Sequence, residues 1–218
     1  FANERVLGCH SLERIMYEKI KREILDSLSV KELIIESCIE DIESATVAMI
    51  NSIKNGGKIL FCGNGGSAGD AQHLATELMG GMTSHERKPI PSIALTTDTS
   101  FITAWSNDTD FDSIFSRQIQ GLGNEGDVLV AISTSGNSSN IIAALKQAKY
   151  KGLKTISFTG KTGGKLNGLA DLTIYVPSEN TQRIQEGHIM IGQIICGLVE
   201  DEFLKWNEWL FPRLFNNA

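Results

Sequence analysis

KILFCGNGGSAGDAQHLATELMGG, residues 58–81, is the stretch from which the fold can be read. Its spacing predicts a short buried strand, a glycine-rich turn, and a helix that opens at Ser67 and carries His73 and Glu77. A glycine-rich turn feeding a helix is a ready anion cradle. The first backbone N–H groups lack helical partners and point the same way as the positive end of the helix dipole. His73 and Glu77 stand four apart, which places them about 40° apart on one helical face. A phosphate seat with a polar pair one or two turns away points to a phosphorylated small molecule.

Downstream, the pattern of strand, loop and helix repeats. Strands are expected at 58–62, 92–95, 127–132, 154–158 and 172–176. Helices are expected near 67–79, 99–106, 111–120, 138–151 and 181–209. The strands are short apolar runs without alternation, as in a parallel sheet buried on both faces. The expectation is therefore an α/β protein: a three-layer, doubly wound, five-stranded parallel sheet of flavodoxin-like order 2-1-3-4-5. Upstream, helical spacing predicts two extra helices, 11–28 and 29–55. Ser29 with Glu32 reads as a capping box that starts the second, and Gly56-Gly57 ends it. Two long amphipathic helices exceed what one sheet needs for cover, so a partner subunit is expected against them. Nothing divides the chain, and residues 1–218 read as one domain with an N-terminal helical extension, 1–55.

The chain has 218 residues, with 41% hydrophobic and 21% charged and a net charge of −6. That is an ordinary globular balance, and the negative charge argues against nucleic acid or an acidic membrane as partner. No run approaches the roughly 18 apolar residues of a membrane span. The N-terminal FANERVLG lacks a basic region followed by an apolar core, so no signal peptide is expected. Cys9, Cys38, Cys62 and Cys196 form no C-x-x-C pair and read as reduced thiols in a cytoplasmic protein.

A second loop, Ser133-Thr134-Ser135-Gly136-Asn137-Ser138, follows the third strand. One serine, Ser138, suffices as a helix N-cap. The other hydroxyls, with Gly136 allowing close backbone approach, read as a second anion loop. In order 2-1-3-4-5 the first and third strands are neighbours whose loops part at the switch point, where ligands bind. Asn64–Ser67 and Ser133–Ser138 are thus expected to face one pocket. Neither loop is a Walker motif or G-x-G-x-x-G, so a monophosphate is indicated and a nucleotide is not.

Together with Arg183-Ile184-Gln185-Glu186-Gly187-His188, these loops make the chain resemble the sugar isomerase (SIS) fold, and within it the phosphoheptose isomerases. The resemblance covers about residues 31–204. It implies conversion of sedoheptulose 7-phosphate to D-glycero-D-manno-heptose 7-phosphate, for lipopolysaccharide or other surface-glycan heptose. It also implies a cytoplasmic homotetramer with one zinc per subunit. Carried over by position, substrate contacts fall on Asn64, Gly65, Gly66, Ser67, Glu77, Asn107, Asp108, Ser133, Thr134, Ser135, Ser138 and Gln185. Metal ligands fall on His73, Glu77, Gln185 and Gln193, and the acid/base pair on Glu77 and Gln193.

At position 193 the chain departs from the family pattern, which has a histidine there. A glutamine amide does not titrate near neutrality and offers a metal only a weak carbonyl oxygen. His188 is no stand-in, because five residues along a helix is about 140° around it. Two functions therefore stand: an isomerase slowed by Gln193, and a non-catalytic SIS-fold binding protein of the kind that associates with a replication initiator. His10 and His85 read as solvated, and the cluster Phe203, Trp206, Trp209, Leu210, Phe211 as packing.

Overall fold

The computed structural model describes the backbone of residues 2–210 and the side chains of residues 12–205. The side chains of Cys9, His10, Trp206, Trp209 and Leu210, and all of Phe211, lie outside the described residues. The five strands are β1 Ile59–Gly63, β2 Ser92–Ala94, β3 Val128–Ile132, β4 Lys154–Gly160 and β5 Leu172–Val176. They pair in parallel in the order β2-β1-β3-β4-β5, the order expected at a switch point between β1 and β3. The helices are α1 Ala2–Ser37, α2 Ile39–Lys54, α3 Gly66–Gly80, α4 Thr99–Asp108, α5 Ile114–Leu122, α6 Ser139–Tyr150 and α7 Thr181–Leu210.

Successive strand residues face opposite layers, and both layers are apolar. Ile59 and Phe61 of β1 join Val128, Val130, Ile132, Ile156 and Phe158 under α2, α3 and α7. Leu60 and Cys62 join Leu129 and Ala131 under α5 and α6. Every residue of β1 and β3 is buried, which is why their sequences show no alternation. Among the described residues no helix is long and apolar enough to cross a membrane.

The N-terminal helices break later than the sequence suggests. α1 runs through Ser29 and Glu32 to Ser37, and α2 starts at Ile39, so the expected capping box is mid-helix. Nothing at Leu28–Ser29 removes a backbone donor or demands a positive φ, and the helix continues. The bend falls at Cys38 for local and tertiary reasons. Ser37 Oγ donates back to Leu33 O at 2.7 Å, a bond that bends helices. Cys38 is 1% exposed, and its Sγ donates to Tyr175 O of β5 at 3.4 Å.

Candidate active site

The two loops emerge side by side from paired strand ends, Gly63 opposite Ile132. Gly65 is the N-cap of α3 and supplies no side-chain cap. The Ala68 N–H bonds Gly65 O at 3.0 Å, and among the described residues the N–H groups of Gly66 and Ser67 are left without a backbone partner, as an anion seat requires. α3 begins at Gly66, one residue before the expected Ser67, which is itself buried. The Gln185 amide, on α7, lies directly over Gly66; an added Cβ there would meet Gln185 Cδ at 2.6 Å. The glycine is what admits Gln185 to the cradle.

In the second loop Gly136 has φ +64° and packs against Gly163, a conformation and an approach that a side chain would oppose. Ser138 occupies the N-cap of α6, but its hydroxyl makes no capping bond. It lies 3.2 Å from Ser133 Oγ instead, so the sequence assigned the position correctly and the bond wrongly. Thr134 is half-buried and Ser135 exposed.

On α3, His73 Nε2 meets Glu77 Oε1 at 2.8 Å. The Gln193 amide nitrogen lies 3.2 Å from the same ring nitrogen, so α7 delivers both Gln185 and Gln193 to this face. The second carboxylate oxygen of Glu77 has no protein partner among the described residues. Asn107 and Asp108 close α4, both exposed. Asn107 Nδ2 bonds Asp108 Oδ1 at 2.8 Å, and neither residue bonds either loop. The fold thus brings Gln185 to the first loop and Gln193 to the His73–Glu77 pair.

Sequence reading missed Asp70 and Asn140. Asp70 stands one turn before His73 on the same side of α3. It is 8% exposed, its Oδ2 has no partner, and burial pushes its carboxyl up to about 6, with His73 opposing. Its spacing of three from His73 and seven from Glu77 was the available signal. Asn140, 2% exposed, exchanges two hydrogen bonds with Asn64. No local signal marks a pairing across that distance in the chain.

The residues implied as zinc ligands are one imidazole, one carboxylate and two amides. Zinc sites are built from imidazole, thiolate and carboxylate, usually at least three. Among the described residues no group of three or more His, Cys, Asp and Glu is placed to hold a metal. This donor set does not fit a resident zinc as the resemblance implied.

His188 is fully buried, with Nε2 3.1 Å from Thr159 O. A carbonyl only accepts, so Nε2 carries the proton, while Nδ1 has no partner. The residue is structural. Burial, opposed by that hydrogen bond, lowers its pKa to about 4 from 6.5. The unfolded chain therefore binds this proton first, and stability falls as pH drops from about 6.5 to about 4. At about 1.4 kcal/mol per unit, the effect is on the order of 3 kcal/mol. His188→Gln keeps a donor and removes the titration. Urea titrations at pH 7 and 4.5 are expected to show a smaller acid loss in this variant; equal losses would reject the assignment.

The SIS domain family model matches residues 25–160. The chain is 48% identical to the phosphoheptose isomerase of a Nitratiruptor species, over 86% of this chain and 100% of that protein. It is 48% identical to that of Aquifex aeolicus, over 85% and 97%. The solved phosphoheptose isomerase of Neisseria gonorrhoeae superposes with TM-score 0.81 at 41% identity, covering 85% of this chain and 99% of that one. For the Francisella tularensis enzyme the TM-score is 0.82 at 38% identity, covering 84% and 97%. At this identity over these shares of both chains, the chain belongs to the phosphoheptose isomerases, a branch of the SIS-domain family.

Proposed function

We propose that this aldose–ketose isomerase seats the phosphate of sedoheptulose 7-phosphate between Gly63–Ser67 and Ser133–Ser138 and reacts its C1–C2 end beside Glu77. The observation that carries this reading is the shared α3–α7 face: the Gln185 amide lies over Gly66 at the mouth of the paired loops, and farther along the same two helices Gln193 meets the His73–Glu77 pair. The free oxygen of Glu77 takes a proton from C1, giving an enediol, and returns one to C2. The carbonyl passes from C2 to C1, O2 gains a proton and O1 loses one. The product is D-glycero-D-manno-heptose 7-phosphate, a precursor for surface-glycan heptose. His73 holds the other Glu77 oxygen, the Gln193 amide beside it can hydrogen-bond O1 or O2, and the Gln185 amide over Gly66 can hydrogen-bond the phosphate end. The loops act as the handle that orients the reacting end.

The same reading makes residues 1–218 one SIS domain, assembled as a cytoplasmic homotetramer with no nucleic-acid or membrane partner. Supporting the assembly is the apolar surface of α1, where Leu12, Ile15, Tyr17, Ile20 and Ile24 are each more than half exposed. Cys38, Cys62 and Cys196 are free and buried, as suits a reducing compartment. No observation favours the non-catalytic reading.

The test is turnover of sedoheptulose 7-phosphate by the wild type and by Gln193→His, each with and without added zinc. The wild type is expected to turn over slowly. Gln193→His, with a third strong donor, is expected to bind zinc at least about tenfold tighter and to turn over faster. Absence of turnover in both proteins would overturn the assignment.

A further inference from the structure

We infer that Asn140 is a positioning residue: its paired amide bonds to Asn64 set the gap between the two phosphate-binding loops. Asn64 Nδ2 donates to Asn140 Oδ1 at 2.8 Å, and Asn140 Nδ2 donates to Asn64 Oδ1 at 2.9 Å. Asn64 directly follows β1, and Asn140 lies in the first turn of α6, directly after the serine-rich loop. The β1–β3 ladder ends at Gly63 and Ile132. Beyond it the chains diverge, and among the described residues this pair is the only side-chain hydrogen bond joining one loop to the other.

The inference rests on the proposed use of these loops as one phosphate seat. A phosphate touched from two sides needs both sides at a fixed separation, because hydrogen bonds weaken steeply once distance or angle is lost. Backbone N–H groups cannot adjust as side chains do, so the spacing must be built in. The reciprocal amide pair does this with both partners satisfied, and Asn140 is almost fully buried. It leaves the second amide hydrogen of Asn64 unassigned to any protein atom, free for the ligand. Asn140 itself acts only through Asn64.

Chemical complementarity supplies the test. In Asn140→Asp, an ionised carboxylate still accepts from Asn64 Nδ2 but sets its other oxygen against Asn64 Oδ1. Once protonated, it offers an O–H to that oxygen and restores both bonds. Asn140→Leu keeps the approximate volume and can restore neither. Asp70 on α3 and Asp112, which is bonded by Ser139 at the head of α6, are present in both variants, so their effects cancel in the comparison between them.

KM for sedoheptulose 7-phosphate is measured at pH 8 and pH 5.5 and expressed relative to wild type at each pH. Both variants are expected to raise KM about tenfold at pH 8, the scale of one well-placed polar contact. At pH 5.5, where burial of position 140 and the facing Asn64 Oδ1 favour the protonated acid, Asn140→Asp returns toward wild type and Asn140→Leu does not. Unchanged KM in Asn140→Asp at pH 8, or an equal rise in both variants at both pH values, overturns the inference. The same proteins are titrated with inorganic phosphate, and Kd is expected to follow the same pattern. If neither the wild type nor Gln193→His turns over the sugar phosphate, only the substrate reading falls, and the phosphate titration still decides the role of Asn140.

Discussion

Glu77→Gln is expected to lower kcat by about 10²–10⁴-fold, the usual worth of a positioned acid/base group, with KM changed little. The substitution keeps the shape of the side chain and can keep a hydrogen bond to His73, which now stands 2.8 Å from the carboxylate. It removes the only property the reaction cannot replace, an oxygen able to accept a carbon-bound proton. Gln193 gives no reserve, because its amide does not titrate. The loops proposed to hold the phosphate lie about three helical turns from Glu77, so binding that is common to ground and transition states is expected to be preserved. Two measurements check this. Initial rates should show the fall in kcat, and the exchange of solvent deuterium into the C1 and C2 positions should disappear with it. A variant that retains kcat within about threefold would remove Glu77 from the carbon proton transfer.

Arg87→Met is expected to destabilise the fold by about 3–5 kcal/mol, the cost of leaving one member of a buried ion pair alone. Arg87 Nε and Glu200 Oε1 are 2.5 Å apart, and both side chains are 1% exposed. Glu200 also accepts from the backbone N–H groups of Met82 and Thr83 and from Thr83 Oγ1. Burial alone would raise its pKa, but the bonds from Arg87, Thr83 and Met82 win and hold it at about 2. That stabilisation is present above the ordinary value of 4.5 and is lost as pH falls toward 2. Arg87 further donates to Lys88 O and to Glu77 O, both at 2.9 Å. It therefore tethers the end of α3 that carries Glu77 to α7, which carries Gln185 and Gln193. Urea unfolding should show the loss as a lower midpoint, and a change below about 1 kcal/mol would mean that the pair contributes little. Replacing both partners by apolar residues is expected to cost less than replacing Arg87 alone, since no orphaned charge remains.

The parallel order of the sheet was legible because burial on both faces writes itself into each strand as an uninterrupted apolar run. The two loops were legible because glycine and serine at strand ends have few other reasons to cluster. His73 and Glu77 could be paired because helix geometry places residues four apart together whatever the rest of the chain does. The end of the first helix was misread at Ser29 because a capping box is a local pattern. The actual bend at Cys38 depends on where β5 lies.

What the sequence determined by itself was therefore set by short-range pattern: β1 to β5 in their expected places, the glycine-rich and serine-rich loops at their ends, and the His73–Glu77 face. Only the tertiary structure decided that Gln193 shares the ring nitrogen of His73, that Asn64 and Asn140 lock the loops together, and that Arg87 is neutralised by Glu200. The physical reason is the same in each case. These partners stand 120, 76 and 113 residues apart, so their contact follows from how the helices pack on the sheet, and no local pattern carries it.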